Sequence, residues 1–115
     1  MKIDSINHKN YKIAFRTWFN QNNDSNPILL FAHASGFHSM IWSEIIKNLT
    51  NYNCIAIDFS GHGESDNPEL EYKWDQFSDE LSSLIKLLDL NNIVGIGHSL
   101  GGYAVTHTTK NLLDR

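Results

Sequence analysis

The most restrictive feature of this sequence is the pentapeptide Gly97-His98-Ser99-Leu100-Gly101. It follows an apolar run that predicts a strand over residues 93–97, and it precedes a pattern that predicts a helix over residues 100–113. A serine on a tight strand-to-helix turn stands clear of the backbone, where a base can reach its hydroxyl. Glycine is expected at positions 97 and 101 because a side chain at either position would collide with neighbouring backbone. The pentapeptide therefore predicts an α/β domain with Ser99 as a candidate nucleophile.

Two upstream segments have the same form, an apolar run followed by a polar loop. The run over residues 28–31 leads into Phe31-Ala32-His33-Ala34-Ser35-Gly36-Phe37, and the run over residues 54–57 leads into Asp58-Phe59-Ser60-Gly61-His62-Gly63-Glu64-Ser65. Runs that are apolar throughout are typical of strands covered on both faces, as in a parallel sheet.

These three segments resemble the α/β-hydrolase fold superfamily. The first loop is similar to that family's His-Gly oxyanion loop, the second to its D-x-x-G-x-G-x-S loop, and residues 97–102 to its G-H-S-x-G-G elbow. All three occur in the family's order, and the resemblance extends from about Lys12 to Arg115. It implies that Ser99 is the nucleophile and that the backbone N–H groups of Ser35 and Leu100 form an oxyanion hole. The chain departs from the family pattern at Ala34, where glycine is usual.

The other residues of these motifs are interpreted as loop structure. The resemblance implies that His33 braces the oxyanion loop, and Asp58 at a strand end is expected to hold the second loop through hydrogen bonds. The loop glycines complete this set, which consists of Gly61, Gly63, Gly97 and Gly101.

The remaining histidines are not expected to act as the base. His107 lies eight residues after Ser99 on the predicted helix, about 12 Å along its axis at 1.5 Å per residue. His98 is expected to project away from the serine, and His8 and His38 are expected at the surface.

The sequence after Ser99 lacks the acid and the base that the resemblance implies. The family's chain order is Ser, then Asp or Glu, then His, and only His107 and Asp114 follow. We therefore interpret residues 1–115 as a partial α/β-hydrolase domain, which is a fragment, a truncated gene product or one part of an enzyme that another chain completes. It is expected to be the N-terminal half of the sheet, an antiparallel hairpin followed by parallel strands with helices on both faces.

The pattern outside the motifs predicts the remaining elements. Residues 2–8 and 11–19 predict the hairpin, and residues 54–58 predict a strand. A helix over residues 39–51 with Ser39 as its N-cap is expected to bury Met40, Ile41, Trp42, Ile45, Ile46 and Leu49. A helix over residues 72–88 carries a stripe expected to pack in the core, formed by Trp74, Phe77, Leu81, Leu84, Ile85 and Leu88.

Composition and charge exclude several classes of function. With 41% hydrophobic and 19% charged residues, the chain is expected to be globular rather than disordered. The net charge of −4 and the scattered Lys and Arg residues leave no basic patch for a nucleic acid. The N-terminus lacks the apolar segment of a secretion signal and no run has the length of a membrane span, which predicts a cytoplasmic protein without a membrane partner. The single cysteine, Cys54, is expected to be a buried thiol.

The function predicted for a complete protein is hydrolysis of a small ester or related carbonyl compound through an acyl-enzyme on Ser99, without a metal or organic cofactor. Two alternatives stay open. One is a same-fold enzyme of another chemistry, such as a C–C bond hydrolase, a lyase or a haloperoxidase-like enzyme. The other is a truncated binding module without catalysis. The resemblance also implies that the strand over residues 93–97 is interior in the family's sheet. A truncated chain is therefore expected to leave it as an apolar edge through which the chain self-associates.

Overall fold

The three apolar runs form three adjacent parallel strands in the computed structural model, which describes residues 1–69 and 71–115. Together with the N-terminal hairpin they make one five-stranded sheet in the order β1-β2-β4-β3-β5. The strands are β1 (Lys2–His8), β2 (Tyr11–Trp18), β3 (Ile28–Ala32), β4 (Cys54–Ile57) and β5 (Ile93–Gly97). The helices are α1 (Ser43–Ile46), α2 (Trp74–Leu87) and α3 (Leu100–Asn111), with short 3-10 helices over Gln21–Asn23 and Ser39–Trp42.

The pairing brings the carboxyl ends of three strands to the same end of the sheet. β1 and β2 pair antiparallel through a turn at Lys9, which has φ 54°, and β2 also pairs antiparallel with β4. β3 lies between β4 and β5 and is parallel to both. The loops after Ala32, Ile57 and Gly97 therefore emerge side by side, and the predicted fold class is confirmed.

Both faces of the sheet are covered because successive side chains of a strand point to opposite faces. Leu30 and Ala32 of β3 belong to the cluster formed with α2 and α3, whereas Leu29 and Phe31 belong to a smaller cluster with Ile46 of α1. Full burial of each large apolar side chain contributes roughly 1.5–3 kcal/mol. This arrangement explains why β3 and β4 read as uninterrupted apolar runs.

The prediction of a helix over residues 39–51 is wrong, both in the extent of the helix and in the face that it buries. The segment is a 3-10 turn followed by the four-residue α1, with His38 rather than Ser39 in the N-cap position. Ile46 is buried, whereas Ile41 and Ile45 are 52% and 51% exposed. The orientation of the segment is set by polar bonds to the buried Ser39, described below, and these override the apolar spacing.

The second predicted helix is confirmed in position, but two members of its stripe are not in the core. α2 begins at Trp74, two residues later than expected, and Trp74 and Leu88 are 52% and 36% exposed. The buried face instead includes Glu80, which is fully buried. A carboxylate therefore occupies a core position of α2.

β5 lies at an edge of the sheet. β3 bonds to one side of it, as in the bond from Ile28 N–H to Asn92 O at 2.9 Å. On its other side Ile93 N–H donates to Arg115 O at 2.8 Å, and the Val94 side chain is 46% exposed. Within the described residues, no helix combines the length and the apolar character that a membrane crossing requires.

Candidate functional site

Ser99 forms the turn between β5 and α3, in an unusual backbone conformation with φ 54° and ψ −112°. A positive φ is uncommon for a residue with a side chain and costs on the order of 1–3 kcal/mol. The residue is exposed, and its hydroxyl makes no capping bond to α3. Because α3 begins at the next residue, the free N–H groups and positive dipole end of the helix lie beside this hydroxyl.

Two glycines allow the turn to close. A Cβ at Gly97 would lie 2.4 Å from Gly101 O, and a Cβ at Gly101 would lie 1.9 Å from Ala32 O. Both contacts are to backbone atoms, which cannot swing aside as a flexible side chain can. The first turn of α3 therefore lies directly against the ends of β5 and β3, and this contact places Ser99 next to the loop after β3.

A cleft of about 330 Å³ opens at the carboxyl ends of the parallel strands. Ser35 from the loop after β3 and Leu100 from the start of α3 both line it. In the part of the chain that the structure describes, the N–H group of neither residue donates to a backbone oxygen. The walls are completed by Ser60, Gly61, His62, Asn67, Tyr72, Trp74 and Phe77.

Two histidines connect the loop after β3 to the loop after β4, one from each loop. His33 Nε2 accepts a hydrogen bond from Phe59 N–H at 3.1 Å, and His62 Nε2 accepts one from Gly36 N–H at 3.0 Å. The centroids of the two imidazole rings are 4.9 Å apart. Burial lowers the pKa of His33 to about 4, because desolvation disfavours its charged form. His33 is therefore neutral near pH 7 and serves as a hydrogen-bond acceptor inside the loop structure.

The fully buried carboxylate of Asp58 also connects the loop after β3 to the loop after β4. One oxygen accepts from Ser39 N–H at 2.6 Å, and the other accepts from Glu64 N–H at 3.0 Å and lies 3.4 Å from Arg16 Nη1. A Cβ at Gly63 would lie 2.3 Å from this carboxylate, so the second loop closes over Asp58 only with glycine there. All oxygens of Asp58 are thus committed to neighbouring groups rather than to the cleft.

Glu80 is the residue of this region that sequence reasoning missed. Its carboxylate accepts from Ser60 N–H at 2.9 Å, from Ser60 Oγ at 2.6 Å and from Tyr11 Oη at 2.8 Å. Burial and the bond to Glu80 raise the pKa of Tyr11. Glu80 lies three residues after Phe77 and four before Leu84, on the buried face of α2. An acidic residue in register with the apolar stripe of a helix was the sequence signal that could have identified it.

The structure does not bring a histidine base to Ser99 from the residues after it. His107 is exposed on α3 and its ring packs against Tyr103 at 4.2 Å between centroids. His98 and Asp114 are also exposed.

His8 was expected at the surface, and this expectation is wrong. The residue is buried, and its Nδ1 lies 2.5 Å from Ser83 Oγ. It is buried because the hairpin packs against α2, a contact between residues far apart in the sequence.

A cavity of about 570 Å³ lies at the opposite end of the sheet, between Trp18, Leu49 and Tyr52. It faces the amino ends of β3 and β4, whereas ligands of parallel sheets usually bind outside the carboxyl ends. Among the described residues, no group of three or more His, Cys, Asp or Glu side chains has the arrangement to hold a metal ion.

Comparison with known proteins agrees with this fold. A 2-(acetamidomethylene)succinate hydrolase of Mesorhizobium japonicum is 35% identical over 78 residues, which are 67% of this chain and 28% of the hydrolase. A non-heme chloroperoxidase of Kitasatospora aureofaciens is 30% identical over 93 residues, which are 79% of this chain and 32% of that enzyme. The crystal structure of a haloalkane dehalogenase from Bradyrhizobium elkani superposes with a TM-score of 0.89 at 23% identity, covering 98% of this chain and 37% of the dehalogenase.

The chain thus spans between 28% and 37% of the length of these three proteins. The family model described as the alpha/beta hydrolase family matches residues 29–114, which include the three loop motifs that follow β3, β4 and β5. The chain belongs to the alpha/beta hydrolase family.

Proposed function

We propose that Ser99 is the nucleophile of a serine hydrolase and that this chain contributes the nucleophile and the oxyanion hole of its active site. The supporting observation is the cleft that Ser35 and Leu100 share. Among the described residues, the N–H group of neither residue donates to a backbone oxygen, and Leu100 is the neighbour of Ser99. Donors held in place before the reaction stabilise charge that develops in the transition state.

In the proposed reaction, Ser99 Oγ attacks the carbonyl carbon of an ester while a histidine base takes the hydroxyl proton. The N–H groups of Ser35 and Leu100 donate to the oxygen that becomes negative. The tetrahedral intermediate expels the alcohol, which receives the proton, and leaves an acyl group on Ser99. Water then attacks the acyl group, releases the acid and restores the hydroxyl. Loss of one oxyanion donor typically raises the barrier by about 3–4 kcal/mol.

The base and its orienting acid are proposed to come from sequence outside these 115 residues. His107 and Asp114 are the candidates that follow Ser99 in the chain. Both residues are exposed, and the ring of His107 packs against Tyr103. Without a base the serine stays protonated and is a weak nucleophile. The 115-residue chain alone is therefore expected to show no efficient turnover.

The proposed substrate is a small neutral ester or related carbonyl compound. The cleft is lined by serine, glycine, asparagine, histidine, leucine and aromatic residues, without an Asp, Glu, Lys or Arg side chain among its described lining. Attack of a serine on a haloalkane would leave an alkyl ether, which water does not cleave, so dehalogenation fits Ser99 poorly. Haloperoxidase-like chemistry is the second candidate because of the 30% identical chloroperoxidase.

Labelling with a fluorophosphonate probe tests the proposal, because the probe reacts with activated serines. A longer form of the protein that supplies a histidine after Arg115 is expected to be labelled, and Ser99→Ala is expected to abolish labelling. Ser25→Ala is the matched control, since Ser25 is exposed in the loop before β3. No labelling of the longer form would refute a serine hydrolase and favour a binding module. Ester turnover by the 115-residue chain that depends on Ser99 would refute the external base.

A substrate panel on the longer form separates the reaction types. The proposal expects turnover of short neutral esters to exceed C–C bond cleavage and halogenation. Ester turnover far below either of these would assign the protein to the same-fold alternatives.

We further propose that the 115-residue chain self-associates through the side of β5 that faces away from β3, beyond the bond from Ile93 to Arg115. The support is the exposed Val94 side chain and the position of β5 at the sheet edge, because unpaired strand edges readily pair with a second copy. Light scattering after gel filtration is expected to show dimers or larger species, and a monodisperse monomer would contradict this.

A cytoplasmic location is also proposed, and cell fractionation tests it.

A further inference from the structure

His62 is held between two backbone groups that define its proton positions. Its Nδ1 lies 2.9 Å from Ser60 O, and a carbonyl oxygen can only accept, so Nδ1 carries the proton. Its Nε2 accepts from Gly36 N–H at 3.0 Å and is therefore unprotonated. The imidazole is neutral in this arrangement, with its acceptor nitrogen directed at the loop that carries Ser35.

The bond to Gly36 acts on one peptide group of a tight turn. Phe37 N–H donates to Ala34 O at 3.1 Å, which closes a four-residue β-turn over residues 34–37. Gly36 occupies the third position with φ +84°, the value of a type II turn. A type I turn has φ of about −90° at that position, and the two types differ mainly by a flip of the central peptide. Here the central peptide joins Ser35 to Gly36.

The orientation of that peptide decides which group faces the cleft. In the type II form Gly36 N–H points to His62, a residue that lines the cleft together with Ser35. A flip would replace this N–H by the Ser35 carbonyl oxygen. A carbonyl oxygen at the rim would repel the developing negative charge that the proposed oxyanion hole stabilises. An acceptor at His62 Nε2 favours the N–H orientation and disfavours the flipped one.

The ring of His62 is itself fixed by neighbours on two sides. Its centroid lies 4.9 Å from that of His33 and 6.3 Å from that of Phe77 on α2. His62 is half-buried, whereas His33 is fully buried and accepts from Phe59 N–H. Each loop thus supplies one imidazole that accepts a backbone N–H of the other loop, and the bond nearer to Ser35 is the one made by His62.

We propose that His62 is a positioning residue that holds the Ser35–Gly36 peptide in its type II orientation and thereby keeps the oxyanion loop ready for reaction. The catalytic part of this proposal rests on the proposed function. The structural part, the effect of His62 on Gly36, stands on the contacts alone.

Two substitutions separate the hydrogen bond from the packing. In His62→Gln the side-chain amide oxygen reaches approximately the position of Nε2 and can accept from Gly36. In His62→Phe a ring still packs between His33 and Phe77, but the acceptor is lost. His38→Phe is the control, because His38 is an exposed imidazole of the same loop region that contacts Met40 N rather than Gly36.

The first readout is amide hydrogen exchange of Gly36 by NMR in the 115-residue chain, which needs no catalysis. A neutral hydrogen bond contributes about 1 kcal/mol, so His62→Phe is expected to accelerate exchange about fivefold. His62→Gln and His38→Phe are expected to stay within about twofold of the parent chain. Equal exchange in His62→Phe and the parent chain would overturn the proposal, whatever the activity of Ser99.

The second readout is esterase kinetics in the longer form that carries the base. His62→Phe is expected to lower kcat by about 10- to 100-fold with little change in KM, because misplaced catalytic groups cost rates of this order. His62→Gln is expected to recover kcat to within about threefold of the parent enzyme. If both variants lose kcat equally while Gly36 exchange separates them, the positioning role is refuted. If Ser99 is not labelled at all, the proposed function fails and the exchange experiment still decides the role of His62 in the turn.

Discussion

The contact between the start of α3 and the end of β3 leads to a sharp prediction at two adjacent glycines. A Cβ at Gly101 would lie 1.9 Å from Ala32 O and 2.8 Å from His33 O, whereas the nearest atom to a Cβ at Gly102 is Gly97 O at 3.6 Å. Both glycines are in the first turn of α3. The same substitution, glycine to alanine, is therefore expected to have opposite effects on stability at neighbouring positions.

The magnitude follows from the distances. Real Cβ atoms essentially never approach another atom closer than 3.0 Å, so Gly101→Ala must separate the helix from the strand by about 1.1 Å, from 1.9 Å to at least 3.0 Å. Overpacking of this kind costs about 1–3 kcal/mol, and the upper end applies because the clashing atoms are backbone. Replacing glycine by alanine in a helix returns about 0.5–1 kcal/mol. We expect a net loss of about 2 kcal/mol for Gly101→Ala and a gain of about 0.5 kcal/mol for Gly102→Ala.

Urea unfolding followed by circular dichroism measures both free energies of unfolding, and thermal unfolding provides an independent check. The two variants are expected to differ by about 2.5 kcal/mol, which corresponds to roughly 10 °C in Tm for a domain of this size. Equal stabilities for Gly101→Ala and Gly102→Ala would refute the close packing of α3 on β3. The position of Ser99 beside the loop after β3 would then lose its structural basis.

Three further predictions concern stability. Burial lowers the pKa of His33 from 6.5 to about 4, so neutral His33 contributes its full stabilisation above about pH 6.5 and this stabilisation is lost as the pH falls. Urea unfolding should therefore show that the free energy of unfolding falls by about 2 kcal/mol between pH 7.5 and pH 5. This decrease should be smaller in His33→Gln. Ser99→Gly should raise Tm by relieving about 1 kcal/mol of strain at φ 54°, whereas Ser99→Ala should leave it unchanged; equal Tm values would argue against strain. Glu80→Ala should lower the unfolding free energy by about 3 kcal/mol, because it strands the buried donors of Ser60 and Tyr11, and a loss below about 1 kcal/mol would contradict this.

Several features of the fold were predictable because they depend on residues that are close in the sequence. Apolar runs and helical spacing located the five strands, α2 and α3 to within a few residues, and the three loop motifs placed the candidate site at the strand ends. The segment after Ser39 was not predictable in this way. Its local spacing favours a helix with a buried stripe. Asp58, just after β4, and Arg16 of β2 instead hold Ser39, and Ile41 and Ile45 stay exposed.

The sequence by itself determined the five strands, the helices α2 and α3, the family, and the glycines that a turn at Ser99 requires, because each depends on local periodicity or on motifs of a few residues. Only the tertiary structure decided which polar groups meet. Glu80 accepts from Tyr11, 69 residues away, and Gly36 donates to His62, 26 residues away. Such bonds join strands, loops and helices whose relative positions are set by packing of the whole sheet, and no local pattern encodes them.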